Sequence, residues 1–298
     1  MRTATPFKAF AALLTCGLVY GSFGVWVRYL SQSFTPFEQI FLRNMFALII
    51  AAVVLLLMRT SLDYRTLPKR DLLFFSILFP LVVILFTFAV TLMKVATAVF
   101  IFYASSLVAS YVIGVKFFHD PITARKNTAM ACSLVGLWFF AYPFEVDGAF
   151  WGGVLMLVAG GIDAISFAFR KKLSDKASAL SLMPLPLLAG LVINAVLILL
   201  SNQPVHIDAM FNLPTIGVLV IFGSNLVLIN VLTLYGLRHF DINLGTIVLS
   251  SELLFALAFG FFLLGESPTT LEIVGGACVA LAIIIANWPK RSPSLISS

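Results

Sequence analysis

Runs of about twenty mostly apolar residues recur along the whole chain, separated by short segments that carry Pro, Ser, Asn or Asp. A helix of about 20 apolar residues spans the hydrocarbon core of a bilayer. The pattern predicts ten transmembrane helices, at 8–30, 37–58, 72–93, 96–117, 125–143, 149–170, 179–200, 213–236, 243–264 and 270–288. The connectors between them are too short for a soluble domain, so the sequence predicts an all-α membrane protein.

Composition supports this class of protein. The chain is 61% hydrophobic and 11% charged, with a mean hydropathy of +1.06, whereas soluble domains have about 25% charged residues. The net charge of +6 comes from connectors rather than from one basic surface, so nucleic acid is not an expected partner. Cys16, Cys132 and Cys278 each lie inside an apolar run, which favours packing over a disulfide or a metal site.

The distribution of Lys and Arg predicts the orientation. Sixteen of these residues lie in the two tails and in alternate connectors, counting Arg170, the last residue of the predicted sixth helix, with the connector that follows it. Arg28 and Lys94 are on the other side, and Arg43 lies within the second helix. Because basic connectors stay in the cytoplasm, we expect a multi-pass protein of the inner (plasma) membrane with both termini cytoplasmic.

An internal duplication divides the chain. Residues 116–137 align with 262–283 without a gap, pairing Thr123 with Thr269 and Cys132 with Cys278. The alignment predicts a first five-helix repeat at 1–143, a second at 144–290 and a cytoplasmic tail at 291–298. Because five is odd, the two repeats enter the membrane in opposite orientations, an arrangement typical of transporters.

The duplicated pattern resembles the drug/metabolite transporter superfamily, and within it the EamA-type ten-helix transporters. The stretch GLVYGSFGVWVRYLSQSFTPFEQIFLRN resembles the family's first helix, followed by Pro36 and Arg43 in the second. The stretch SSELLFALAFGFFLLGESPTTLEIVGGACVALAIIIA resembles its end-of-repeat signature. Leu107 and Leu253 stand where family members commonly carry Pro. The resemblance implies a metabolite exporter, with amino acids and related amines or acids as the favoured substrates.

Glu252 lies near the middle of the predicted ninth helix, on a stripe of aliphatic and aromatic residues. A carboxylate at this depth is costly unless it is protonated or has a cationic partner. One hypothesis is that Glu252 takes up a proton or contacts the amine of a substrate. The alternative is a structural hydrogen bond that holds the helix to a neighbour.

Two further ionisable residues are candidates for a substrate cavity. Arg43 lies about two turns inside the second helix and could attract an anionic group, pair with Glu252 or Glu38, or extend to the surface. Asp163 follows two glycines of the sixth helix, and Arg170 lies on the same stripe nearer the cytoplasm. A polar contact between closely packed helices is the favoured interpretation of Asp163, and a cavity acid is the alternative.

The remaining candidates are uncharged. Tyr103 and Ser106 lie in the fourth helix, and Ser106 is the repeat-related counterpart of Glu252. Asn194 and Asn225 are polar residues within the seventh and eighth helices, where interhelical hydrogen bonding is the default role. A stripe of small residues on the first helix, Gly17, Gly21 and Gly24, predicts close helix packing.

Enzymatic constellations are not evident in the sequence, which has no phosphate-binding Gly-Lys motif and no His, Cys and carboxylate cluster. We therefore expect a secondary transporter that uses alternating access, with a small-molecule substrate, proton coupling as a hypothesis, and no cofactor or metal. A non-transporting sensor or scaffold and a membrane-embedded lipid-handling enzyme are the alternatives. A polar central cavity would favour transport over a scaffold.

Overall fold

The computed structural model describes residues 6–60, 62, 64–92, 95–142, 150–174, 176–201, 205–265 and 267–287, and every regular element in these ranges is an α-helix. The helices are α1 (Pro6–Gly21), α2 (Phe23–Leu30), α3 (Pro36–Leu57), α4 (Lys69–Leu92), α5 (Val95–Phe118), α6 (Ala124–Ala141), α7 (Phe150–Ser174), α8 (Ala179–Leu182), α9 (Pro184–Ser201), α10 (Ile207–Met210), α11 (Leu213–His239), α12 (Ile242–Leu249), α13 (Glu252–Leu264) and α14 (Thr270–Asn287). Over their described residues, all ten predicted segments are therefore helical apart from short breaks. The predicted boundary at 143 and the tail 291–298 lie outside the described residues.

Eight spans of the described chain are long and apolar enough to cross a membrane. They correspond to the first four predicted helices and to the sixth to ninth. The fifth and tenth predicted helices, α6 and α14, have 18 residues each. The first turn of α6 carries Arg125 and Lys126, which lowers the hydropathy of that helix. A bilayer crossing by α6 and α14 stays a prediction.

The outer surface of the bundle is apolar. Leu57 and Leu199 are each 79% exposed and Phe262 is 78% exposed. Soluble monomers rarely expose large contiguous apolar surfaces. This outer surface fits a bilayer, and the chain is a multi-pass membrane protein.

Helix starts follow local capping chemistry. Thr35 and Glu38 form a capping box at the start of α3, with Pro36 as its first residue. Thr269 and Glu272 make the same reciprocal bonds at the start of α14. The side chain of Thr123 accepts the backbone N–H of Lys126 at the start of α6. The duplicated threonines thus begin equivalent helices.

The turns before α6 and α14 use the left-handed backbone region. Gly265 ends α13 with φ 68°, and His119 has φ 54° just after α5. The two residues correspond in the predicted duplication. Glycine adopts this conformation at no steric cost, whereas a residue with a Cβ is strained there.

Besides the span that breaks at Met183 between α8 and α9, two of the spans are interrupted. Ser22 separates α1 from α2, and its hydroxyl donates to the backbone oxygen of Val19 at 2.7 Å. Ser250 and Ser251 separate α12 from α13. At the second interruption the Ser251 N–H bonds to Val248 O at 3.1 Å, three residues back, so the helix is locally tightened. No proline is needed for this break, although Leu253 stands where family members commonly have one.

Helix packing joins the two halves of the chain. Helix α1 of the first half packs on α11 and α13 of the second half. Helix α7 of the second half packs on α4 and α5 of the first half. Helices α3 and α9 pack together, as do α6 and α14. The largest buried apolar cluster draws on both halves, with Phe102 and Leu107 from one and Ile247 and Val279 from the other.

Candidate functional site

One turn of α5 bonds to two carboxyl groups on other helices of the bundle, Glu252 and Asp163, both of which are partly exposed. The Tyr103 hydroxyl donates to Oε2 of Glu252, and the Ser106 hydroxyl donates to Oδ2 of Asp163 at 2.9 Å. Tyr103 is 7% exposed and Ser106 is fully buried. Because residues three apart lie on one helix face, a single face of α5 from the first half bonds to α7 and α13 of the second half.

The two carboxyl groups also interact with other charged and polar groups. The charges of Asp163 and Glu252 repel each other, and the guanidinium of Arg170 attracts Asp163. The Tyr20 hydroxyl is near enough to interact with both acids and with Arg170. We call Tyr20, Tyr103, Ser106, Asp163, Arg170 and Glu252 the central polar cluster. Ionisable groups within a membrane bundle usually mark a functional pathway.

Glu252 occupies a special position on its helix. It is the first residue of α13, directly after the interruption at Ser250 and Ser251, and both serines are fully buried. Membrane transporters commonly place binding and coupling residues at such discontinuous helices. Among the described residues of the ninth predicted helix, Glu252 is the one carboxylate, and it lies at the break.

Close backbone contacts hold this position. A Cβ on Gly17 would overlap the Ser251 side chain, and a Cβ on Gly21 would lie 2.9 Å from Glu252 O. These two glycines confirm the predicted close packing of the first helix. Gly24 does not belong to it, because a Cβ there would meet nothing within 4 Å. The prediction for Gly24 was therefore wrong, since α2 turns that residue away after the interruption at Ser22.

A matching contact lies between α7 and α5. A Cβ on Gly160 would overlap Phe102 O and lie 2.9 Å from Ser106 N. Thus Gly160 fixes the backbone of Ser106 much as Gly17 fixes the backbone of Glu252. Both contacts allow helix axes to approach closely.

Arg170 is the main residue that the sequence interpretation misplaced. It was assigned to a cytoplasmic connector, but it lies inside α7 and is 2% exposed. Its Nη2 donates to Asn230 O at 2.7 Å and to Asn230 Oδ1 at 2.6 Å. The signal that could have found it was its stripe, which also carries Asp163 seven residues earlier.

The other predicted site residues lie apart from this hydrogen-bonded group. The Arg43 guanidinium lies 5.1 Å from the Phe222 ring centroid and 6.0 Å from that of Phe23. Tyr20 of the central polar cluster is near enough to interact with the Arg43 guanidinium. Among the described residues its Nε has no hydrogen-bond partner. The suggested pairing with Glu252 or Glu38 is not found among them, because Glu252 accepts from Tyr103 and Glu38 contacts Thr35 and His206.

The two predicted asparagines differ in their surroundings. Asn194 is fully buried, and its side chain donates to Gly190 O at 2.7 Å within the same helix. Asn225 is partly exposed. Asn230, which was not selected as a site residue, bonds instead to Arg170. Asn225 and Asn230 are five positions apart, so their side chains face different directions on α11.

An ion pair and a hydrogen bond join helix ends at one end of the bundle, near the connectors between α5 and α6 and between α11 and α12. Lys126 Nζ lies 2.6 Å from Asp241 Oδ2, and Lys171 Nζ donates to Phe240 O at 2.9 Å. Burial, and next the negative charge of Asp241, raise the pKa of Asp120 above its ordinary value. This end is on the side that the distribution of basic residues assigns to the cytoplasm.

A second polar contact lies at the other end. Glu38 at the start of α3 and Lys126 at the start of α6 are separated along the chain by three successive helices, α3 to α5. An odd number of crossings places the two residues at opposite ends of the bundle. Glu38 Oε1 accepts the backbone N–H of His206 at 2.7 Å, and the His206 ring Nδ1 lies 3.2 Å from Glu38 Oε2. This contact ties the start of α3 to the segment before α10.

Two cavities adjoin this second contact. One of about 350 Å³ is lined mainly by apolar residues of α3 and α9, and one of about 590 Å³ is lined by hydroxyl and amide side chains. Phe34 and His206 belong to the walls of both. None of the residues of the central polar cluster lines either cavity.

The charged and sulfur-containing residues do not suggest a metal centre. Within the described ranges, no group of three or more His, Cys, Asp or Glu side chains could hold a metal ion. The cysteines Cys16, Cys132 and Cys278 are free, and Cys16 lies against Thr233 Oγ1 at 3.1 Å.

Comparison with known proteins connects this architecture to a family. Residues 150–288 match the EamA-like transporter family, whose members are transporters rather than enzymes. Twenty-eight chains of solved structures match. One of them, a crystal structure of a protein, aligns over 94% of this chain and 96% of its own length, with 12% identity and a TM-score of 0.78. At that identity the likeness shows the fold alone. No curated protein matches the chain.

Proposed function

We propose that this chain, whose residues 150–288 match the EamA-like transporter family, is a secondary transporter that moves small metabolites by alternating access. The observation that carries the proposal is the central polar cluster. Its two acids and one arginine lie among apolar helices of both halves. Charged groups within a membrane are costly, and those that occur there usually serve a function. Export across the inner membrane, with amino acids as favoured substrates, is the direction and class that the family resemblance implies.

The proposed architecture is two inverted five-helix repeats with ten membrane crossings. Equivalent positions support it. The paired residues His119 and Gly265 both have positive φ. The paired contacts of Gly17 with Glu252 and of Gly160 with Ser106 join equivalent helices. If the repeats are equivalent, either one can adopt the conformation of the other, which is how inverted repeats alternate access.

Movement in this scheme occurs at contacts between the halves. The packing of α1 on α13 corresponds to that of α7 on α5, since each joins the first helix of one repeat to the fourth of the other. The glycines at both contacts present smooth backbone surfaces. Helices with such surfaces can shift against each other with little side-chain interference.

Contacts at both ends support an occluded arrangement of the bundle. Lys126 bonds to Asp241 at one end, and Glu38 bonds to His206 at the other. Alternating access requires that the two ends open in turn. We propose that each of these contacts breaks when its own end opens.

Glu252 is the proposed coupling residue. Its carboxyl group accepts from Tyr103 and is repelled by Asp163. In a bilayer, such a group exists protonated or beside a cation. Exchange of a proton for the amine of a substrate would then accompany the rearrangement of the cluster.

The test is flux into liposomes that contain the purified protein, after a thermal-shift screen has identified a metabolite that binds. We expect a pH gradient to drive wild-type flux, and Glu252→Gln to abolish this dependence because the amide carries no titratable proton. Asp208→Asn is the matched control, since Asp208 is an exposed acid in α10. Unchanged, pH-driven flux of Glu252→Gln would rule out coupling through Glu252.

A non-transporting sensor or scaffold is the second candidate. It is favoured by one observation, that the cluster residues bond to one another while the two cavities lie at the end near Glu38. A scaffold would bind no metabolite and support no flux above that of empty liposomes. The same assay therefore separates the two functions.

A further inference from the structure

Arg170 has an unusual environment for a membrane arginine. It is among the largest fully buried side chains, at 2% exposed. Its Nη2 donates two hydrogen bonds, both to Asn230. Among the described residues, Nη1 has no hydrogen-bond partner. A buried cationic donor without an acceptor is costly, so an acceptor that joins it would stabilise the bundle.

The position of Arg170 on α7 directs its guanidinium towards Asp163, an acid of the central polar cluster. Arg170 and Asp163 are seven residues apart on one face of α7, about 10 Å along the axis. Side chains on a helix lean towards its N-terminus, which is the direction of Asp163. The attraction between the two charges is consistent with this placement. The guanidinium and the two acids thus offer positive and negative groups to one central region.

We propose that Arg170 binds a carboxylate of the transported molecule, so that the substrate carries both a carboxylate and an amine. This inference rests on the proposed transport function. The planar guanidinium matches a carboxylate in shape and charge, and Nη1 supplies a free N–H for it. Asp163 and Glu252 then receive the amine, and the zwitterion neutralises charges of both signs in the bilayer.

Arg43 is the other buried arginine in the neighbourhood, and it suits this role less well. Its guanidinium, carried by α3, lies within 6.0 Å of the ring centroids of Phe23 and Phe222. Among the described residues, Tyr20 is the charge interaction found for Arg43, and no acid attracts its guanidinium. Arg170, in contrast, is attracted by Asp163, so its partner acid is already placed for the other end of a zwitterion.

A structural role is the competing explanation of Arg170. In that case the bonds to Asn230 would only tie α7 to α11. Loss of such a tie would weaken the transport of every substrate to the same extent. Substrate selectivity therefore distinguishes a binding residue from a structural one.

The experiment measures flux into liposomes for α-amino acids and for the amines that remain when their carboxylate is removed. Wild type is compared with Arg170→Lys, Arg170→Gln and the control Lys172→Gln, which removes an exposed charge two residues away. We expect wild type to prefer the amino acids by about tenfold or more. Arg170→Gln should lose this preference, Arg170→Lys should keep part of it, and Lys172→Gln should retain it.

The outcomes separate the inference from the function on which it rests. Equal wild-type flux of amines and amino acids would overturn the inference and leave transport intact. So would an equal loss of both in Arg170→Gln and Arg170→Lys. Absence of any flux above empty liposomes would overturn the proposed function, and the inference with it. Thermal unfolding of each variant confirms that the compared proteins are folded.

Discussion

The contact between α7 and α5 makes a strong prediction, because two adjacent glycines differ completely in their surroundings. A Cβ on Gly160 would overlap Phe102 O and lie 2.8 Å from Ser105 Cβ and 2.9 Å from Ser106 N. A Cβ on Gly161 would meet nothing within 4 Å. Gly160→Ala and Gly161→Ala therefore introduce the same methyl group on the same helix, one at a tight contact and one in open space.

The magnitude follows from the distances. Carbon atoms in ordinary contact are about 3.5–4.0 Å apart, so Ala at position 160 would force α5 and α7 apart by roughly 1 Å. Overpacking of this kind costs about 1–3 kcal/mol. Replacing a mid-helix glycine with Ala gains about 1 kcal/mol at either position. The helix gain cancels in the comparison, so Gly160→Ala should be about 1–3 kcal/mol less stable than Gly161→Ala.

The assay is thermal unfolding of the two purified variants, followed by flux in liposomes. Because Ser106 bonds to Asp163 at 2.9 Å, a separation of the helices also breaks a bond of the central polar cluster. We expect lower flux for Gly160→Ala and near wild-type flux for Gly161→Ala. Equal stability and equal flux of the two variants would refute the packing of α5 on α7 described here.

Three other changes test neighbouring parts of the structure. Tyr103→Phe removes the donor to Glu252 at a cost of about 1–2 kcal/mol, so we expect lower thermal stability and a shifted pH profile of flux; an unaltered profile would contradict that bond. Gly21→Ala should lower flux and Gly24→Ala should not, because only the first would contact α13; matching fluxes would show that the contact is unimportant. The raised pKa of Asp120 means that the folded state binds its proton more tightly than the unfolded chain does. Asp120→Asn should therefore unfold at a higher temperature than wild type at neutral pH, and this gain should vanish in acid, below the ordinary pKa of aspartate; a gain that does not change with pH would contradict the argument.

Helix positions could be predicted because long apolar runs leave few alternatives in a bilayer. Helices fill each of the ten predicted segments. The short helices α8 and α10 were not predicted, nor was the break between α1 and α2 at Ser22. These depend on local bonds, such as that from Ser22 to Val19 O, which leave no periodic signal in the sequence.

Candidate residues could be selected from the sequence, but their partners could not. Glu252 and Asp163 are conspicuous because acids are rare in apolar helices. Which hydroxyl reaches which acid depends on the rotation of each helix, and the structure pairs Tyr103 with Glu252 and Ser106 with Asp163. Their roles in transport stay predictions.

Arg170 illustrates a limit of charge counting. An arginine near the cytoplasmic end of a span contributes to the positive-inside bias whether it is in water or in the bundle. Its burial arises from packing of α7 on α11, which the composition of the connector does not encode. For the same reason Asn230, rather than Asn225, contacts the cluster.

The central claim is that the two ends of the bundle open in turn around the central polar cluster. The most direct test links Lys126→Cys to Asp241→Cys with a short, reducible thiol cross-linker, in protein whose Cys16, Cys132 and Cys278 are replaced by Ala. A linker is suitable because the wild-type contact joins an extended lysine side chain to the aspartate. The account predicts that linked protein in liposomes has background flux, that reduction restores it, and that each single-cysteine variant is unaffected by the reagent. Undiminished flux through the linked protein would contradict the account.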